Sequence, residues 1–138
     1  ESDYSSNSIL EDYFDLKINT ATFDIGTNNL TVYGTLTNDG TIDLEGTQTL
    51  SIQTPDTNSG TIEYNGSGDY DLLDISDFYD LEFNNASGKW TATAIFNVNN
   101  NLIITSGTLD VSTYDLSVSN NSKVKIVIRN EAIKLYSK

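Results

Sequence analysis

A four-residue pattern returns along this chain at almost constant intervals: Thr22-Phe23-Asp24-Ile25, Thr41-Ile42-Asp43-Leu44, Thr61-Ile62-Glu63-Tyr64 and Asp80-Leu81-Glu82-Phe83 begin nineteen, twenty and nineteen positions apart. A period near twenty marks an architecture in which each repeat is one structural layer that cannot bury its apolar face alone. A fifth copy, Thr108-Leu109-Asp110-Val111, comes later than that period predicts, which implies an insertion of eight or nine residues after the fourth. A second alternating pair follows within each repeat: Leu30/Val32, Leu50/Ile52, Tyr70/Leu72, Trp90/Ala92 and Leu116/Val118. A third, looser set comprises Leu36, then Ile75 and Phe78, then Phe96/Val98 with Leu102/Ile104, then Val124/Ile126/Ile128. Gly, Asn, Asp and Ser fill the connections and supply turns.

Strands with alternating side chains bury one face, and stacking equivalent strands ~4.8 Å apart turns that face into a continuous apolar column. The expected fold is therefore all-β: a short parallel β-solenoid of about five to six rungs, three strands per rung, with right-handed crossovers. Ile133/Leu135 is placed to begin a sixth rung. The alternative is an antiparallel β-sandwich, whose turn signals recur every ~8–12 residues. Residues 1–15 read as a leader or cap, 16–122 as the solenoid body and 123–138 as a basic strand segment available for assembly. Ser8-Ile9-Leu10-Glu11 has the pattern of a capping box, predicting a short helix whose Leu10, Tyr13 and Phe14 cover the first rung.

The chain has neither Cys nor His, which removes disulfides, thiolate chemistry, the usual general base and the commonest transition-metal ligand. Enzyme function is not expected. A polysaccharide lyase on such a scaffold would need a basic catalytic group and a longer groove, and residues 1–122 hold only Lys17 and Lys89. No segment has the run of roughly 18 or more consecutive apolar residues of a membrane-spanning helix, which argues against membrane insertion. The first residue is Glu1, which fits removal of a signal peptide and hence export. Four sequons, at Asn29, Asn65, Asn85 and Asn120, are compatible with that setting.

Net charge is −13 and unevenly distributed. Residues 1–122 hold nineteen acids against two bases, a net −17, whereas residues 123–138 hold five bases against Glu131, a net +4. An acidic body repels phosphate backbones, so nucleic acid is not an expected partner. A basic tail on an acidic body instead suits a second copy of the same chain. The residues placed for that role are Lys123, Val124, Lys125, Ile126, Arg129, Ile133, Lys134 and Leu135, in a strand apolar on one side and basic on the other.

In the first set of strands the middle residues Asp24, Asp43, Glu63, Glu82 and Asp110 point outward and form a carboxylate ladder. Adjacent charges repel there by ~0.5 to 1 kcal/mol per pair in a water-like dielectric. A Ca²⁺ ion, which takes oxygen ligands, would relieve this. So would a neighbour's basic strand, and a plainly solvated face is the simpler reading. Asp69, Asp71, Asp74, Asp77, Asp80 and Glu82 fail the EF-hand template, because Leu73 occupies the third ligand position. In the second set, Thr31, Ser51, Asp71, Thr91 and Ser117 form a mostly hydroxyl face with glycan-binding potential. Trp90 falls in the inward register and is assigned to the core.

The stretch Leu81-Glu82-Phe83-Asn84-Asn85-Ala86-Ser87-Gly88-Lys89-Trp90, with Leu102-Ile103-Ile104-Thr105-Ser106-Gly107-Thr108-Leu109-Asp110-Val111 and Tyr114-Asp115-Leu116-Ser117-Val118, resembles repeats of large secreted microbial surface proteins of the β-helical adhesin type. That likeness covers roughly residues 80–120, and residues 20–64 loosely. It implies an extracellular scaffold and carries no functional residues with it. The expected function is a cell-surface filament or layer subunit assembling head to tail. The alternatives are an adhesin module that binds a glycan or another surface, and a passive spacer of a larger protein.

Overall fold

The computed structural model describes residues 11–72, 77–111, 114 and 116–119. They form a parallel β-solenoid of about five turns, and every strand pair within it is parallel. Thirteen strands are found among the described residues: β1 Glu11–Tyr13, β2 Leu16–Ile18, β3 Thr22–Asp24, β4 Leu30–Asn38, β5 Thr41–Leu44, β6 Leu50–Thr54, β7 Thr61–Tyr64, β8 Asp69–Leu72, β9 Asp77–Phe78, β10 Asp80–Ala92, β11 Phe96–Val98, β12 Leu102–Asp110 and β13 Leu116–Val118.

The strands fall into three columns. The first runs without a break through β3, β5, β7 and the opening halves of β10 and β12. The second holds β1, the start of β4 and β6, then β8 and the closing halves of β10 and β12. The third holds β2 with the end of β4, then β9, β11 and β13. The long strands β4, β10 and β12 each bend around a corner and serve two columns. Parallel pairing requires a crossover of a dozen or more residues between partners, and here the two other columns supply it.

The register removes the expected insertion. Leu81 lies opposite Leu102, Trp90 opposite Leu109 and Val98 opposite Val118, so all three pairs keep the period near twenty. Thr108–Asp110 therefore stacks on Lys89–Thr91 in the second column, while Leu102–Ile104 takes the fifth place in the first. The long interval between the fourth and fifth copies of the pattern is a step from one column to the next. By the same register Leu116/Val118 belongs to the third column, not the second.

Side chains alternate as the pleat demands, with β5 and β7 both reading half-buried, buried, half-buried, buried. Leu30, Ile42, Leu50, Leu81, Phe83 and Trp90 are fully buried. Tyr64 stacks on Phe83 at 5.4 Å, and Phe83 meets Trp90 at 5.0 Å. Trp90 belongs to the core as expected, and it also reaches across layers: its Nε1–H donates to the carbonyl of Glu45, two rungs earlier, at 3.1 Å. Gly46 makes room for this ring. Its φ is +133°, and a Cβ there would lie 2.9 Å from Trp90 Nε1 and 2.7 Å from Tyr70 Cγ.

The expected N-terminal helix is not seen where the chain is described. Glu11–Tyr13 is a strand paired with Leu30–Val32, so the first rung includes residues assigned to a leader. Pairing with β4 satisfies the backbone of this segment directly, whereas a helix of about seven residues is marginal in water. Tyr13 packs on the core and meets Phe23 edge-on at 6.3 Å. Phe14, expected to cover the rung, is 76% exposed. Ser8, Ile9 and Leu10 lie outside the described residues.

Candidate functional site: an acid and amide ladder on the first column

Four of the five expected ladder residues stand in consecutive rungs. Asp24 is opposite Asp43, Asp43 opposite Glu63, and Glu63 opposite Glu82. The fifth does not. Ile103 occupies the next place above Glu82, and Asp110 lies in the second column opposite Thr91, where its carboxylate is 3.8 Å from Lys89 Nζ. The misplacement follows from the column step, since a matching four-residue pattern does not say which column it belongs to.

Beside the acids runs a line of amides and a hydroxyl, each contributed by the following rung. Asn65 Nδ2–H donates to Asp43 Oδ1 at 2.6 Å, Asn84 Nδ2–H to Glu63 Oε1 at 3.1 Å, and Thr105 Oγ1–H to Glu82 Oε1 at 2.7 Å. The same arrangement recurs on the third column and the adjoining corner: Asn97 donates to Asp77 and Asn100 to Asp80, both at 2.8 Å. Each of these five carboxylates thus takes a charge-assisted bond from the next layer, which offsets the repulsion between acids, whereas Asp24 accepts the Gly26 N–H of its own rung. Reading acids alone misses this brace. Its signal is an Asn or Thr placed one turn of the solenoid after an acid, or slightly more.

Asp43 is perturbed. Its carboxyl is raised from 3.8 to about 6, first by burial and then by the charges of Glu63 and Asp24, with the Asn65 and Leu44 hydrogen bonds opposing. Among the described residues no three acids converge closely enough to hold a metal ion. Stacked strands hold successive carboxylates in a line, and a line offers a cation too few oxygens at once.

A second polar cluster has no evident signal in the sequence. Asp56 Oδ2 accepts the N–H of buried Asn38 at 2.7 Å and the Ser59 hydroxyl at 3.1 Å, while Oδ1 accepts the N–H groups of Asn58 and Ser59. Burial alone would raise this carboxyl, but the hydrogen bonds outweigh it and hold it below its ordinary value. The cluster folds the loop that replaces a third-column strand in the third rung. Pro55 has no N–H to donate to such a strand. The crevice beneath it, lined by Leu36, Ile52, Pro55 and Phe78, has a volume of about 10 Å³, room for one water at most.

The expected hydroxyl face is interrupted. Thr31 lies opposite Ser51 and Thr91 between Asp71 and Asp110, but Ser117 pairs with Asn97 in the third column. A different surface feature occurs at the corner between the second and third columns. Phe14, Tyr33, Ile95 and Tyr114, the exposed large apolar residues among those described, all sit there. Of the sequons, Asn65 and Asn85 use their side-chain amides as donors to Asp43 and to the Asn65 carbonyl, and the Asn29 side-chain oxygen accepts the Thr49 N–H. Asn120 and the assembly residues Lys123 to Leu135 lie outside the described residues. Comparisons with protein-family models, with curated proteins and with solved structures find no match to this chain.

Proposed function

We propose that the chain is a non-catalytic extracellular structural protein, assembling head to tail through its terminal segments into a cell-surface filament or layer. The observation that carries this reading is the charge split along the chain, a net −17 over residues 1–122 and +4 over residues 123–138. The described strands stack in parallel columns. A strand added to such a column gains main-chain hydrogen bonds. The basic, alternating segment 123–138 supplies such a strand, and the acidic body favours it over another acidic one. Contact between unlike ends that does not close on itself generates a fibre. The resemblance to secreted surface repeats supports the extracellular setting.

Light scattering over a rising concentration series, with and without Ca²⁺, tests this directly. The full chain is expected to grow in mass and to show filaments by electron microscopy, whereas a variant ending at Ser122 stays monomeric. A full chain that stays monomeric throughout refutes the reading. The exposed Phe14, Tyr33 and Tyr114 favour a second reading, a glycan-binding adhesin module, because aromatic faces offer amphipathic stacking surfaces. Glycan-array capture by a monomeric chain, lost in Tyr33→Ala, would select it.

A further inference from the structure

We propose that the carboxylate column on the first face is a proton-operated brace that tightens the second and third rungs when the medium turns from neutral to mildly acidic. The geometry supplies the motive. Asp43 of β5 is flanked by Asp24 from β3 and by Glu63 from β7, its register partners on either side. Glu45 follows two residues later in its own rung, and Glu82 stands one rung beyond Glu63. The donors to these groups are neutral: Asn65 and the Leu44 backbone to Asp43, Asn84 to Glu63 and Thr105 to Glu82. Lys17 and Lys89, the bases among the described residues, lie in the third and second columns. Among the described residues the first column carries no cation, and a proton from solvent supplies a counter-charge.

Taking it up breaks no bond. The proton adds to the Asp43 carboxylate, removes one charge from between two others, and gives that carboxyl an O–H able to donate to its neighbour. Asp43 is half-buried, and the rise of its carboxyl from 3.8 to about 6 agrees with this reading. The sign follows from linkage. A folded chain that holds the proton more tightly than the unfolded chain gains stability as pH falls through about 6 towards 3.8, and loses it as pH rises again. Ordinary acid unfolding runs the other way. This device is independent of the assembly proposed above and is read on the monomer.

The test is the thermal midpoint of the full chain and of Asp43→Asn between about pH 7.5 and about pH 5. The wild-type midpoint is expected to climb by about 5 °C on acidification. Asp43→Asn should start higher at neutral pH and stay nearly level. A wild-type midpoint that is flat or falls over this window overturns the proposal, as does a variant that keeps the wild-type slope. Should the variant not fold, carbon NMR titration of the wild-type Asp43 carboxyl decides. A midpoint near 6 supports the brace, and one near the ordinary 3.8 overturns it.

Discussion

Replacing Trp90 tests the packing of this solenoid at its most connected point. The indole is fully buried, lies against Phe83 at 5.0 Å and Tyr70 at 6.1 Å, and bonds to the Glu45 carbonyl two rungs away. Trp90→Ala removes all three contacts and leaves a cavity, at a cost of about 3–5 kcal/mol. Trp90→Phe keeps an aromatic ring against Phe83 but loses the Nε1–H bond, about 1 kcal/mol, and the packing of the second ring, about 1–2 kcal/mol. At about 4 °C per kcal/mol for a domain of this size, the thermal midpoint should fall by about 12–20 °C for Ala and about 8–12 °C for Phe. Circular dichroism melts measure both. Trp90 is also the only tryptophan in the chain, so the wild-type emission should be that of an indole shielded from water. A red, water-exposed emission spectrum, or a midpoint unchanged in Trp90→Ala, would refute the reasoning.

Two further substitutions probe separate features. Asp56→Ala strips the acceptor from the buried Asn38 N–H and should cost about 1–3 kcal/mol at neutral pH, measured by urea denaturation. Because that carboxyl is held below its ordinary value, its contribution is fully present above 3.8, and the gap between wild type and variant should close as pH falls below that. Gly46→Ala forces a Cβ onto Tyr70 and Trp90 at a φ of +133°, so calorimetry should show a lowered midpoint, whereas Gly→Ala at an unstrained, open position is neutral or mildly stabilising.

The architecture was legible because two periodicities coincide: alternation within strands and a return near twenty residues. Ile42 over Ile62 and Leu30 over Leu50 could be paired on paper, and they are paired in space. Asp110 could not. Its four-residue pattern matches the first column, yet column identity depends on how many residues each bend consumes. The bends at Asn84–Lys89 and Ser106–Thr108 follow register shifts that side-chain alternation does not encode. The role of Glu11–Tyr13 failed for a different reason. A local capping pattern competed with pairing to Leu30–Val32 in the next rung, and the long-range pairing prevailed. The candidate site was half visible. The acids stood out by charge, while their amide donors looked like ordinary turn residues, because an Asn that braces a rung and an Asn that makes a turn are the same letter.

The bent strands β4, β10 and β12 leave the chain winding through its layers with every interstrand hydrogen bond directed along the axis of the stack. Tension applied between the first and last described layers therefore loads those bonds end-on, a few at a time, like opening a zip. Each layer set free would pay out about 65–70 Å of slack polypeptide, given twenty residues at full extension. A rod built this way yields in steps under load and absorbs mechanical work with each one.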